Sequence, residues 1–486
     1  MVVEILGAKM LSPYVGTSHF VWIAQIAVTL VALATGYYAG GKLADRSQRL
    51  GRLYWALLIA AAYLIVTVLI CEPVAYWCLD FNLAVGSLLA SSILFFIPLA
   101  LLAMTGPFLV RVITSSVTGV GGNVGRLTSV GTLGSFVGTL LIGYLLLPLM
   151  PNSATMCLTA LALALVSAGY FAFGGRLAPG PLLLALGLAV ASGLLVTWRP
   201  APRYTWAVER FRGNSHFGQL VVIERRDGKR RAYMNDNLVQ NTYDPEQKES
   251  LSTFTYMLSG LARAYTTNIN DVLCIGLGVG IVPMEFARRG AHVDVVEINP
   301  AVVPVAEKFF DLAPDKMHIT IDDGRHYLNR CRKQYDAVIL DAFLGDSSPS
   351  HLMTREAFTA IRRVLRPGGT LVINAFCSVE EGKDFFAASL DKTLKSVFAG
   401  VRLHASAGQS FIVATDRPDP AFVHPPDLSA VNLEVVEAVK AAFNEIVEPI
   451  PGHGRVLTDN FNPIEFFDAR NREITRRSLA ISAKQL

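Results

Sequence analysis

The 486-residue chain is poor in charge. Only 17% of its residues are Asp, Glu, Lys or Arg, where a soluble domain carries about 25%, and 52% are hydrophobic. That imbalance excludes a single water-soluble protein, and it is unevenly spread. Residues 1–198 hold eight Lys/Arg and four acids, and residues 199–486 hold 35 of each, so the formal +4 lies wholly in the first stretch. A neutral second half has no broad basic field to draw nucleic acid, and no nucleic-acid partner is expected. Cysteine is also scarce: six residues with no metal-ligand spacing, so no metal is expected. Cys71 and Cys78 flank a loop without Lys or Arg and are a candidate disulfide if that face is oxidising. Cys157 falls within an apolar run, and Cys274, Cys331 and Cys377 are expected to stay reduced.

What fills the first stretch is apolar. Long runs extend over His19–Gly40, Leu53–Ile70, Leu83–Met104, Val130–Leu149, Ala154–Phe173 and Pro181–Trp198. Each approaches the ~20 residues that cross hydrocarbon as a helix. Residues 1–198 are therefore expected to form a transmembrane domain of about six helices in an inner (plasma) membrane, with the bilayer as partner. Residues 1–16 are too short and too charged for a seventh span and read as a half-helix or interfacial segment. No charge lies at mid-span, where an ion or proton path would announce itself. Gly36, Gly40, Gly41, Gly131, Gly134, Gly138 and Gly143 suit close helix packing instead. Loop cations in 41–52, 111–126 and 174–179 place those loops in the cytoplasm. Six spans would then put residues after Arg199 outside, whereas the chemistry read below calls for a cytoplasmic domain, and the chemistry is given precedence.

The second half changes pattern after the Pro-rich stretch Arg199–Thr205. Gly218–Glu224 and Arg231–Met234 are short apolar strands divided by Asp227-Gly228, a hairpin signal, within a β-rich gate subdomain over 203–265. Over 266–420, strands at 272–277, 292–298, 318–323, 336–343 and 369–376 alternate with helical patterns. Such alternation predicts a doubly wound parallel sheet, an α/β Rossmann-like fold. Residues 421–486 read as a C-terminal helical extension, helical around Leu433–Glu445 and ending in a basic tail, Arg470–Lys484.

Ligands of open α/β sheets bind at the carboxyl ends of strands. Gly276, Gly278 and Gly280 end the first strand and open a helix, so the backbone there approaches a ligand closely or simply turns. Glu297 ends the second strand, where a carboxylate accepts from a ribose diol. No basic residue lies in the glycine loop, which disfavours phosphate. Asp322-Asp323-Gly324 ends the third strand and suits an adenine amino group or a plain turn. Asp341 ends the fourth, with Asp346 five residues on, and either accepts a proton from an amine or caps a helix.

Together these residues resemble the polyamine aminopropyltransferases, the spermidine synthase family, over about 203–400. The resemblance implies a β-hairpin domain before a Rossmann-like methyltransferase fold. It matches the glycine motif at Gly276, Gly278 and Gly280, the ribose-binding acid at Glu297 and the third-strand motif at Asp323-Gly324. It matches the catalytic aspartate at Asp341, with Asp346 holding substrate, and the gate glutamine at Gln240. DAFLGDSSPSHLMTREAF, LTDNFNPIEFF at 457–467 and the apolar half resemble the membrane-fused branch of the family. Three features depart from the family: Val279 stands where an Asp holds the donor's amino end, no His follows Gln240 in a Tyr-His-Glu triplet, and Asp341 and Asp346 are more widely spaced.

The resemblance implies decarboxylated S-adenosylmethionine or S-adenosylmethionine as donor, a small-molecule amine or other acceptor, and release of 5′-methylthioadenosine. The alternatives are an S-adenosylmethionine-dependent methyltransferase, cleavage of that donor, and a non-catalytic nucleoside-sensing membrane protein. A homo-oligomer is also compatible with the sequence.

Overall fold

The computed structural model describes all residues except 16–18, 79, 82, 115–118, 175–177, 198–205, 237, 344–348, 407–408, 450–451, 468–470, 472–473 and 475–486. The chain divides into two compact units, Met1–Ala201 and Pro202–Leu486.

The first unit is helical because its segments are apolar on every side. Six helices are long and apolar enough to cross a membrane: Phe20–Arg46, Leu50–Cys78, Leu83–Ile113, Val120–Leu149, Asn152–Phe173 and Pro179–Thr197. The N-terminal segment is a further helix, Val2–Val15, whose Leu6 and Leu11 are fully buried. Large side chains such as Leu30, Ile59, Leu133 and Phe173 face outward. Cys71 and Cys78 do not pair: both lie in one helix, and seven residues at 1.5 Å rise separate them by about 10 Å, beyond disulfide reach.

The glycines behave in two ways. A Cβ at Gly36 would stand 2.2 Å from the Ala100 carbonyl, and one at Gly40 2.6 Å from that of Met104, so these two glycines let their helix close on its neighbour. At Gly131, Gly134 and Gly143 a Cβ would meet nothing within 4 Å, so the packing expected there is not made among the described residues. Gly36→Leu is expected to lower the thermal unfolding temperature of the detergent-solubilised protein by several degrees, whereas Gly134→Leu leaves it unchanged.

The second unit holds two sheets. The first is an antiparallel meander of β1 (Ala207–Ser215), β2 (Gly218–Arg225), β3 (Arg231–Asn235), β4 (Leu238–Asp244) and β5 (Glu249–Ser250). Gly228 takes φ +76° in the turn that the sequence signals. The apolar run of β2 follows from burial on both faces. Val221 and Ile223 pack with Ala232 and Met234, while Leu220 and Val222 join the main core. The helix Thr253–Tyr265 lies within the expected gate subdomain in sequence but buries Leu258 and Leu261 in that main core.

The second sheet contains β6 (Asp271–Ile275), β7 (His292–Glu297), β8 (His318–Ile321), β9 (Tyr335–Leu340), β10 (Leu365–Ala375), β11 (Gly400–Ser406), β12 (Gln409–Thr415) and β13 (Ile446–Val447). Its order is β13-β11-β12-β10-β9-β6-β7-β8. β10, β9, β6, β7 and β8 run parallel, whereas β12 pairs antiparallel with β10 and with β11, so the sheet is mixed rather than wholly parallel. From β6 the chain winds outward through β7 and β8, then crosses to β9 on the other side. The crevice between the ends of β6 and β9 is thus the topological switch point, where such sheets bind ligands. In the C-terminal stretch Val436–Asn444 and the single turn Ile464–Phe467 are helical among the described residues, and most of the basic tail Arg470–Lys484 lies outside those residues.

Candidate active site

At the switch point a cleft of about 1030 Å³ is walled by β3 and β4 on one side and by the ends of β6, β7, β9 and β10 on the other. Gln240, Gly276, Gly278, Glu297, Asp323, Gly324 and Asp341 all line it. Gly280 does not. It takes φ +86° at the start of the helix Ile281–Arg288, and a Cβ there would strike Leu312 at 2.5 Å, so its role is to let the turn pack. Asp346 lies outside the described residues.

Gly276 sets the geometry of the floor. Its φ is +100°, and a Cβ would lie 2.1 Å from the Asp341 carbonyl oxygen. Only glycine lets the ends of β6 and β9 approach this closely. Beside it, Glu297 is 8% exposed and accepts from Leu277 N at 2.9 Å and Asn299 N at 2.7 Å. Burial pushes its carboxyl above the ordinary value, and the backbone N–H groups oppose that rise. Both oxygens are thereby fixed in place, with lone pairs still open toward the cleft.

Asp323 caps the helix Gly324–Arg330, accepting from Arg325 N at 2.9 Å and His326 N at 3.0 Å through Oδ1. Its Oδ2 meets His351 Nε2 at 2.9 Å. Burial raises its pKa, yet the bonds from His326 N–H and His351 outweigh that and hold it below the usual carboxylate range. Asp322 also lines the cleft and meets His326 Nδ1 at 2.8 Å.

Asp341 is half-buried, and burial pushes its carboxyl up to about 6 against a bond from Asn374, with Glu297 adding to the rise. Asn374 Nδ2 donates to Asp341 Oδ1 at 2.8 Å, and Gln409 Nε2 donates to Asn374 Oδ1 at 2.8 Å. This relay fixes the carboxylate through Oδ1 of a residue that lines the cleft. Asn374 and Gln409 escaped sequence reasoning because they sit on β10 and β12, whose antiparallel pairing brings them behind β9. His351 also supplies an imidazole to the cleft from a different place in the chain than the missing triplet. Phe217, Phe254, Phe343 and Phe376 give apolar wall, with Phe343 and Phe376 4.9 Å apart.

Two further residues, Val279 and Asp459, are placed away from the cleft. The Val279 side chain turns into the core at 1% exposure, so its position offers nothing to a donor's amino end or carboxylate. Asp459 stays out of the cleft lining. It accepts from Thr354 Oγ1 at 2.6 Å and Arg325 Nη2 at 2.9 Å, tying the C-terminal segment to the wall that carries His351. Among the described residues no group of His, Cys, Asp and Glu is placed to hold a metal.

The lining decides the electrostatics. Four carboxylates, those of Glu297, Asp322, Asp323 and Asp341, face the cleft, and no Lys or Arg is among its described residues. The family model of the spermine/spermidine synthase domain matches residues 252–408. This segment belongs to the spermine/spermidine synthase family. A polyamine aminopropyltransferase of Vibrio vulnificus is 36% identical over 140 residues, 27% of this chain and 46% of that protein. Polyamine aminopropyltransferase 2 of Hyperthermus butylicus is 33% identical over 166 residues, 31% of this chain and 54% of that protein. An N-terminal histidine N-methyltransferase of Emericella nidulans is 32% identical over 144 residues, 28% of this chain and 25% of that protein. The chain thus spans about half, or less, of the curated relatives it matches. The spermidine synthase of Thermotoga maritima aligns at TM-score 0.39 and 18% identity, over 50% of this chain and 85% of that one.

Asp459→Ala leaves the buried Thr354 hydroxyl without that acceptor, while the more exposed Arg325 pair contributes little. The variant is expected to lose about 1–2 kcal/mol in denaturant unfolding of the second unit, while Asp459→Asn recovers part of it.

Proposed function

We propose that the second unit is a spermidine-synthase-like transferase that moves an alkyl group from a sulfonium nucleoside to an amine. The observation that carries the reading is the cleft of four carboxylates without Lys or Arg among its described residues. Such a field favours a cationic sulfonium and a cationic amine and disfavours a phosphate-bearing nucleotide. Decarboxylated S-adenosylmethionine is the better match to an acidic cleft, since S-adenosylmethionine brings a carboxylate of its own.

Glu297 would accept from the ribose diol and the floor at Gly276 and Gly278 would let the nucleoside lie close to the backbone. Asp323 is already engaged by the helix start and His351, so an adenine amino group would meet the edge of that arrangement or displace His351. The sulfonium activates its neighbouring carbon. The amine nitrogen forms the new C–N bond as the C–S bond breaks, the electron pair leaves on sulfur as 5′-methylthioadenosine, and Asp341 takes the ammonium proton. Asp346 remains a candidate to hold a second amino group.

Methyl transfer to an amine is the second reading, favoured by the identity shared with an N-terminal histidine N-methyltransferase. It uses the same cleft and base but yields S-adenosylhomocysteine. The first unit would place the enzyme in an inner membrane, with the catalytic unit in the cytoplasm where these donors are made.

Incubation of the purified full chain with each donor and with mono- and diamines, followed by mass analysis, tests both readings. Methylthioadenosine with an aminopropylated amine is expected. Neither nucleoside product from either donor, despite donor binding, would leave the protein a sensor. Asp341→Asn is expected to lower kcat by about 10²–10⁴-fold with the donor Kd nearly unchanged. In the unmodified protein kcat is expected to rise with pH through about 6, because only ionised Asp341 accepts a proton. The sign for stability is opposite. Ionised Asp341 disfavours the native state above its unfolded value, so Asp341→Asn is expected to stabilise the fold above pH 6, by at most about 3 kcal/mol, and not below pH 4.

A further inference from the structure

The parallel sheet has a second end. Asp271 and Asp336 stand at the starts of β6 and β9, five or six residues and so roughly 17 Å from the cleft at the strand ends. Here an open concavity of about 1440 Å³ is lined by Arg330, Arg332, Lys333, Arg363 and Arg366, with no acid among its lining residues. The nearby carboxylates lie beneath it. Lys333 Nζ meets Asp294 at 2.9 Å and Asp271 at 3.2 Å, while Arg366 meets Asp271 at 2.7 Å and Asp336 at 2.9 Å. Those three acids are at most 17% exposed, so they neutralise the inner two cations and leave the outer three facing solvent. Arg363 donates to the Leu328 carbonyl at 2.5 Å and to the Asn329 carbonyl at 3.3 Å, which leaves its charge unpaired, and Arg330 and Arg332 make no ion pair or hydrogen bond among the described residues.

We propose that this concavity docks the second unit on the phosphate-bearing headgroups of an anionic bilayer. The choice of a bilayer over another polyanion follows from the chain itself. The first unit carries six helices of membrane-crossing length and apolarity, so a tethered second unit meets headgroups at high effective concentration. Surface Arg side chains near an anionic leaflet are each attracted to it modestly, so three suffice to orient a tethered unit but not to recruit a free one. Docking by this end points the cleft, at the opposite strand ends, toward water, where soluble donor and amine arrive. The inference rests on the bilayer reading of the first unit and is independent of the reaction.

Cys331 reports on it, because it lines the same concavity and is partly exposed while Cys71, Cys78, Cys157, Cys274 and Cys377 are buried. The full chain is reconstituted into nanodiscs of zwitterionic lipid or of zwitterionic lipid with anionic phospholipid, and labelled with a neutral polyethylene-glycol maleimide. Cys331→Ser identifies the signal. Labelling is expected to slow by about fivefold or more in anionic discs, with the zwitterionic rate restored by high salt or by Arg330→Glu/Arg332→Glu. Equal rates in the two lipids, or protection that survives the double substitution, overturns the proposal. Protection in zwitterionic discs by added inorganic phosphate or by RNA would reassign the concavity to a free anion or a nucleic acid and overturns it as well. Failure of the chain to enter nanodiscs would instead defeat the bilayer reading itself.

Discussion

The close approach of Gly276 to the Asp341 carbonyl is the contact on which the candidate site depends. A side chain at residue 276 would force the ends of β6 and β9 apart, since a Cβ would lie 2.1 Å from that oxygen. With glycine there, the backbone N–H of Asp341 bonds the Ile275 carbonyl at 3.0 Å and continues the ladder past both strand ends. The Asp341 carboxylate and the glycine floor thereby share one crevice. Glu297 completes it from β7 by bonding Leu277 N, so three neighbouring strands are fastened together at the ends that meet the ligand.

Charge then selects what that crevice accepts. Burying several carboxylates together is unfavourable unless hydrogen bonds or a cation compensate. Backbone N–H groups compensate Glu297, the helix start and His351 compensate Asp323, and Asn374 backed by Gln409 partly compensates Asp341. The residual cost of burial at Asp341 appears as its raised pKa. The Val279 side chain belongs to the core beneath the turn and adds no charge to the crevice.

The two units differ in composition, one apolar and one rich in charge, and their glycines and ion pairs differ accordingly. In the first, Gly36 and Gly40 allow backbone-to-backbone packing of neighbouring helices. In the second, glycines with positive φ shape a turn, and ion pairs secure the strand starts at Asp271 and Asp336.

Much of this was legible in the sequence because it depends on local pattern. Apolar runs of membrane length, the alternation of strands and helices from residue 271, the glycine turn and the acids at strand ends each follow from a few consecutive residues. The Gly276, Glu297, Asp323 and Asp341 positions could be picked out because parallel βα units present every strand end to the same edge. What lay several elements apart was not legible. Asn374 and Gln409 behind Asp341, His351 against Asp323 and Asp459 beneath Thr354 arise from pairings across 28 to 105 residues of chain. The burial of Val279, the separate role of Gly280, the two fates of the apolar-half glycines and the separation of Cys71 from Cys78 likewise required coordinates. Sequence by itself determined which elements form and which edge of the sheet is chemical, since local periodicity and capping govern both. Tertiary structure alone decided which polar groups hold Asp341 in place and where the outer arginines gather, since side-chain neighbours are set by how distant elements pack.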